Sequence, residues 1–264
     1  MKTIVLGPAG KMGAAMVKTV HTHSGMELIG AVGPKDRDYI GDDTGLVANL
    51  GRKLGVQVSD NLADIIDGCD LVLDCTRPET AMDALNLCIR YNKAFVSGTT
   101  GFTDEQREAF KAAGTHIPVI LAYNTSRMMH LLFDAVRQVA ATMGARADID
   151  IVDIHDRGKP DAPSGTAKEI AGIVCEELGT HHFTYGRKGM GIREDNSIAF
   201  NSIRSGGYPG AVKVIFGFDD EQLTLSGQVF NMDTYAKGMI DAGLFLNGKS
   251  PGFYDLKEVF HDNE

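Results

Sequence analysis

The chain has 264 residues, 43% hydrophobic and 23% charged, with a formal net charge of −9. That length can bury a sizeable core in one or two domains, and the composition is that of an ordinary soluble globular protein. The acidic balance argues against nucleic acid as the main partner, because a backbone binder needs a basic face, and no apolar run is long enough to span a bilayer.

Four cysteines, Cys69, Cys75, Cys88 and Cys175, show no metal-ligand spacing. They sit among apolar residues, which predicts small buried hydrophobes in a reducing compartment, with no disulfides and no metal. The opening MKTIVLGPAG enters a strand directly, without a signal-peptide apolar region and cleavage site. These features fit a cytoplasmic enzyme.

Residues 2–6, KTIVL, form a short apolar run that ends at Gly7. GPAGKMG follows, with Gly7, Gly10 and Gly13 at G-x-x-G-x-x-G spacing, and then the helical pattern AAMVKTVHTH. This variant of the dinucleotide fingerprint stands between a strand and a helix, as the fingerprint requires. Glycine lets the backbone approach a pyrophosphate, and the helix start supplies amides and positive potential. Dinucleotide binding is therefore favoured over a merely tight strand-to-helix turn.

A second strand is predicted over 26–32, MELIGAV. An NAD enzyme usually carries Asp or Glu at its end to bind the ribose diol; this chain has Gly33-Pro34-Lys35. The missing carboxylate and the added Lys35 suit a 2′-phosphate, which favours NADPH over NADH, although Asp36 or Asp38 could serve the diol. Lys35 reads equally as a solvated loop lysine.

Residues 37–60 are rich in Gly and Asp and read as a long loop before another strand. Leu62 to Ile66 suggests a helix. DLVLD at 70–74 is a buried strand that ends in Cys75-Thr76-Arg77, followed by a helix over 80–91. Ala94 to Val96 is the next strand, ending in Ser97-Gly98-Thr99-Thr100-Gly101; an acidic first turn at Thr103-Asp104-Glu105 then starts a helix to about Ala113. Pro118 to Ala122 is a further strand, ending at Tyr123-Asn124-Thr125-Ser126, and a helix over 128–143 follows. The alternation of strands and helices predicts an α/β, Rossmann-type doubly wound parallel sheet with ligands at the carboxyl ends of its strands.

After Ile149 the pattern changes. Strands near 149–154, 197–204, 211–218 and 222–230, with one helix at about 165–178, predict a second, α+β domain with a mixed, mostly antiparallel sheet. The stretch 234–246 is helical and apolar and is expected to pack back on the first domain. The expected division is a dinucleotide-binding domain over 1–124, completed by 234–264, and a substrate-binding and oligomerisation domain over 125–233.

The stretch DIDIVDIHDRGKPDAPSGTAK carries the chemistry. Its strand leads to His155, then Lys159, then Pro163-Ser164-Gly165-Thr166, where a helix starts. An imidazole, an ammonium, two hydroxyls and helix N-terminal amides lie within twelve residues. Those parts can hold a carboxylate and pass it a proton. Ser164 and Thr166 also read as ordinary helix caps, and both readings can hold together. His181-His182 resembles a metal pair but lacks a third ligand nearby in sequence, so a solvated pair is favoured.

The chain resembles the 4-hydroxy-tetrahydrodipicolinate reductases (dihydrodipicolinate reductases) of lysine and diaminopimelate biosynthesis. The resemblance spans essentially the whole chain: GPAGKMG, DCTRPE, SGTTGF, YNTS, HDRGKPDAPSGTA, SIRSGG and SPGFYDLKEVF stand in order, and HDRGKPDAPSGTA is the most specific. The family resemblance implies a dinucleotide-binding domain built from both chain ends and a central sheet domain that binds substrate and forms a homotetramer. It implies reduction of a cyclic imine dicarboxylate with hydride from NADPH or NADH. Carried over by motif, Gly7, Gly10, Lys11, Met12 and Gly13 hold the cofactor phosphates. Thr76, Arg77, Gly98, Thr99 and Thr100, with Tyr123 and Asn124, lie along the rest of the cofactor. His155 is the proton donor, Lys159 supports protonation, and Lys159, Ser164, Gly165 and Thr166 bind a substrate carboxylate.

The resemblance departs at several positions. The family's second His of a His-His pair is Asp156, at a substrate-binding position where a carboxylate would repel a dicarboxylate. The family's Glu-His pair aligns with Ala211-Val212, its later His with Gly227, its Ser-Arg with Asn231-Met232, and a Gly near the YNTS turn with Met128. Two alternatives therefore stand beside the lysine-pathway reductase. One is a paralogous NAD(P)H-dependent reductase of a different cyclic imine or enone. The other is a non-catalytic NADPH-binding sensor, against which His155 and Lys159 argue, since a sensor needs no acid beside the nicotinamide.

Overall fold

The structure, a computed structural model, describes residues 1–179, 182–207 and 210–261. The chain opens with β1 (Lys2–Leu6), α1 (Lys11–Thr22), β2 (Glu27–Val32), α2 (Thr44–Val47), β3 (Val58–Ser59) and β4 (Leu71–Asp74). It continues through α3 (Pro78–Tyr91), β5 (Ala94–Ser97), α4 (Asp104–Ala113), β6 (Pro118–Leu121) and α5 (Arg127–Met143). β7 (Asp148–His155), α6 (Gly165–Leu178), β8 (His182–Tyr185), β9 (Ser197–Arg204), β10 (Gly210–Gly217) and β11 (Gln222–Val229) follow. The chain then returns through α7 (Asp233–Phe245), β12 (Gly252–Tyr254) and α8 (Leu256–His261). It forms two compact units, one of Met1–Ser126 with Met232–Glu264 and one of Arg127–Asn231. Among the described residues, no helix is long and apolar enough to cross a membrane.

The first unit holds a seven-stranded sheet of order β12-β6-β5-β4-β1-β2-β3, with every pairing parallel. Apart from β12, this is the 3-2-1-4-5-6 order of a doubly wound dinucleotide-binding sheet. Its central strands are buried on both faces, which accounts for their continuous apolar runs. Met16, Val20, Met239 and Ile240 from α1 and α7 cover one face; Ala81, Leu85, Cys88 and Phe110 from α3 and α4 cover the other. The returning α7 is therefore part of this core, and its Asp233 pairs with Lys18 of α1 at 2.7 Å. Gly238 of α7 lies so close to the exit of β6 that a Cβ there would stand 1.7 Å from the Thr125 carbonyl oxygen.

Two local expectations change. The loop over 37–60 contains α2 and β3, organised by Asp43, whose carboxylate accepts from the amides of Gly45, Leu54 and Gly55. The segment expected as a helix over 62–66 is a pair of 3₁₀ turns, Leu62–Asp64 and Ile66–Gly68. The run is too short to propagate an α-helix, and an Asn61 side chain that accepts from Ala63 starts a tighter turn.

The second unit holds a five-stranded sheet of order β11-β10-β7-β9-β8. It is mixed, as expected, but its pairings divide evenly: β11-β10 and β10-β7 are antiparallel, while β7-β9 and β9-β8 are parallel. The edge strand β8 accounts for the balance, since its residues, HFTY, lie largely exposed and present no buried run to announce a strand. Helices α5 and α6 pack on one face, over Ile149, Ile151, Phe200, Val212, Val214 and Phe216.

Candidate active site

The first group of predicted residues lies along the carboxyl edge of the parallel sheet. Gly7 leaves β1 at φ +70°, a backbone that favours glycine, and turns the chain into α1. Gly13 allows the helix to close on that turn, since a Cβ there would stand 1.9 Å from the Gly7 carbonyl oxygen. Gly10 caps α1 without a side-chain bond, and among the described residues no backbone acceptor takes the amides of Lys11, Met12 or Gly13. Those amides form an anion-ready cradle at a helix start. Lys35 stands exposed after β2, and no Asp or Glu occupies the end of that strand.

Thr76, Arg77, Gly98, Thr99, Thr100, Tyr123 and Asn124 follow β4, β5 and β6, which neighbour one another in the sheet. A carboxylate that composition did not single out orders them. Asp74 is fully buried at the end of β4 and accepts from Ser97 Oγ at 2.6 Å, Thr99 Oγ1 at 2.7 Å and the hydroxyl of Thr76. The Thr99 hydroxyl also accepts from the Thr76 amide at 2.8 Å. Burial raises the Asp74 carboxyl above its ordinary pKa against the pull of those hydroxyl bonds. The two threonine side chains thus set the shape of the edge, leaving its exposed groups to Arg77, Thr100 and Tyr123. Asn124 Oδ1 accepts from the Ser126 amide at 3.0 Å and shapes the next turn in the same way.

The second group gathers at the end of β7. His155 is 16% exposed, and its Nδ1 lies 2.9 Å from Oδ1 of Asp153, which is fully buried. Neither atom has a hydrogen bond of good alignment, so the pair is a close contact. The other oxygen of Asp153 accepts from Arg204 Nη2 at 2.8 Å and the Ser164 amide at 2.9 Å. Burial opposes the charge on Asp153, but the contacts with His155, Arg204 and Ser164 outweigh it and hold the carboxyl well below its usual range. Register places His155 opposite Arg204 and Asp153 opposite Ser202.

The helix start is built as expected, with a division of labour. Ser164 is only 2% exposed; its hydroxyl accepts from the Ala167 amide at 3.2 Å and caps α6. The capping reading therefore holds for the Ser164 side chain, while Gly165 at the first helical position is exposed. Lys159 Nζ pairs with Asp161 Oδ1 at 2.8 Å and is 27% exposed. Asp156 Oδ1 accepts from the Gly158 amide at 2.8 Å, so this departure from the family pattern closes the turn between His155 and Lys159. Asp153, Arg204, Asp161 and Asp74 are the members that the residue-by-residue reading missed.

The remaining candidates contribute little. Burial raises the thiol pKa of all four cysteines, Cys69 to about 11, and all four are unpaired. His181 lies outside the described residues, and His182 pairs with Glu194 at 2.8 Å.

Residues 1–125 match the family model described as dihydrodipicolinate reductase, N-terminus, and residues 128–260 match its C-terminus counterpart. The chain is 36% identical to a 4-hydroxy-tetrahydrodipicolinate reductase of Hahella chejuensis, covering 97% of each. It is also 36% identical to one of Pelobacter propionicus, covering 98% of each. Among solved structures it resembles a dipicolinate-bound dihydrodipicolinate reductase from Paenisporosarcina sp. TG-14, with 26% identity, 97% coverage of both chains and a TM-score of 0.76. An amine dehydrogenase from Mycobacterium smegmatis shares the fold at 15% identity, 97% and 95% coverage and a TM-score of 0.67. The glycine cradle, the His155 turn and these full-length matches agree: the chain belongs to the dihydrodipicolinate reductase family.

Proposed function

We propose that this chain reduces 4-hydroxy-tetrahydrodipicolinate to tetrahydrodipicolinate, replacing the hydroxyl with hydrogen and releasing water. The observation that carries the reading is the imidazole of His155, held at the end of β7 beside a capped helix start. A bound nicotinamide dinucleotide supplies the hydride. The residues fit such a group: the Gly13 position admits no Cβ, and the first-turn amides of α1 have no backbone acceptor among the described residues.

In this proposal Gly7, Gly10, Lys11, Met12 and Gly13 hold the pyrophosphate, and Lys35 pairs with a 2′-phosphate, which makes NADPH the preferred cofactor. Thr76, Arg77, Gly98, Thr99, Thr100, Tyr123 and Asn124 shape the edge along which the ribose and nicotinamide lie, with Asp74 fixing the two threonines. Lys159 and the Ser164-Gly165-Thr166 turn bind a substrate carboxylate through charge-assisted bonds and helix-start amides. His155 donates the proton that quenches the negative charge left by hydride addition. Asp156 acts as a turn former. A homotetramer forms through the sheet face of the second unit that carries no helix.

Purified protein is expected to oxidise NADPH when supplied with the precursor made by the partner synthase, and to use NADH less efficiently. Folded protein that binds NADPH yet shows no turnover with that precursor would sink the proposal.

A further inference from the structure

We infer that Asp153 is a positioning residue for this reaction: one buried carboxylate fixes the proton donor and the carboxylate-binding turn as a single unit. The inference rests on His155 being the acid.

The two oxygens of Asp153 divide their work. Oδ2 accepts from Ser164 N at 2.9 Å, Arg204 Nη2 at 2.8 Å and Ser202 Oγ at 3.4 Å, which joins the start of α6, β7 and β9 at one atom. Oδ1 makes none of these bonds; its close neighbour is His155 Nδ1 at 2.9 Å. A carboxylate present only to tie down the helix start would need one oxygen. An anion beside Nδ1 fixes the ring plane and the tautomer and leaves Nε2 as the atom that faces outward chemistry.

Arg204 makes this arrangement affordable in a buried place. Its guanidinium donates to the Asp153 carboxylate and, from the same Nη2, to the Asp161 carbonyl at 2.6 Å; Nη1 donates to the Ile203 carbonyl at 2.9 Å. The negative charge beside His155 is thereby compensated on its far side. Asp161 in turn holds Lys159 at 2.8 Å. A continuous chain of contacts thus runs from the Lys159 ammonium through Asp161, Arg204 and Asp153 to the imidazole. Misplacing the carboxylate would misalign the acid against its substrate, and orientation is a large part of rate.

The test compares Asp153→Asn, His155→Ala and the double variant in steady-state turnover, with NADPH affinity measured separately. Asp153→Asn is expected to lower kcat roughly hundredfold and to leave NADPH affinity within about twofold. Because Asp153 acts on the proton transfer through His155, the double variant should have a kcat no lower than that of His155→Ala alone, while loss of its hold on the Ser164 amide is read in KM. A kcat within about threefold of the unaltered enzyme, or losses that multiply in the double variant, would overturn the inference. If His155→Ala itself turns over normally, the acid assignment fails and the positioning role fails with it, which separates the two outcomes. Nitrogen-15 NMR of the unaltered protein gives a check that needs no variant to fold. With the ring neutral, the His155 proton should sit on Nδ1; a proton on Nε2 would contradict the contact with Asp153.

Discussion

Glu169 lies in the second turn of α6 with no hydrogen-bond or ion-pair partner among the described residues, and burial pushes its carboxyl up to about 7 from 4.5. The direction fixes the consequence. The folded chain holds the proton more tightly than the unfolded chain, so Glu169 supports stability below about pH 4.5 and loses that support as pH rises through 7. Glu169→Gln should therefore raise the unfolding free energy at pH 8 by roughly 1–3 kcal/mol and change it little at pH 4. Thermal unfolding of both forms across that pH range checks the sign; equal effects at both ends would contradict it. Nothing in the sequence marks Glu169 as buried, since an isolated Glu in an amphipathic helix reads as solvated. Asp153 did leave a signal. In DIDIVDIH, Val152 breaks the alternation, so Asp153 and His155 fall on the same face as Ile149 and Ile151. A charged residue in phase with the core face is the mark of a buried partner. His155 and Lys159 were legible because their side chains have few bland uses in a tight polar turn.

At the scale of elements, three of the departures from the family resemblance, at Val212, Gly227 and Met128, are neighbours. Val212 of β10 pairs across the sheet with Gly227 of β11 and with Asp153 of β7. A Cβ on Gly227 would stand 2.9 Å from Met128 Sδ and 3.1 Å from Met129 Sδ at the start of α5. Where the family resemblance places a His at 227 and a Gly at 128, this chain places the bulk on the helix and removes it from the strand. Gly227→His alone should destabilise the chain by about 1–3 kcal/mol through overpacking. Adding Met128→Gly should recover a good part of that loss, and a double-mutant cycle measured by denaturant unfolding reads the coupling. Additive losses would show that the two positions do not exchange space. The strongly patterned elements, such as α1, β4 and α5, were legible because burial repeats along them. β3 and β12 have two and three residues, and β8 is largely exposed, so none presents a buried apolar run; each is held by the register of a neighbouring strand.

At the scale of the molecule, the alternating strand and helix pattern exposed the doubly wound sheet, and its breakdown after Ile149 exposed the second unit. Assembly leaves a fainter trace, because it depends on which face of a sheet stays uncovered. In the second unit α5 and α6 cover the face that carries Ile151, Val212 and Val214. The strand register puts Val152, Ile154, Ala199, Ile203, Ala211 and Ile215 on the opposite face, interspersed with Asp150, Asn201 and Lys213, and Ile203 is 46% exposed. Met190 and Ile192, just before β9, are almost fully exposed as well. Exposed apolar side chains on that face favour cover, and the proposed tetramer supplies it with another copy of the chain. The unaltered protein should therefore sediment as a tetramer. A carboxylate in place of the exposed Ile203 would meet an interface built for an apolar side chain, so Ile203→Asp should shift the population to smaller species without loss of the helical signal in circular dichroism. An unaltered protein that sediments as a monomer would remove the assembly proposal. An Ile203→Asp variant that remains tetrameric would place the interface elsewhere on the chain.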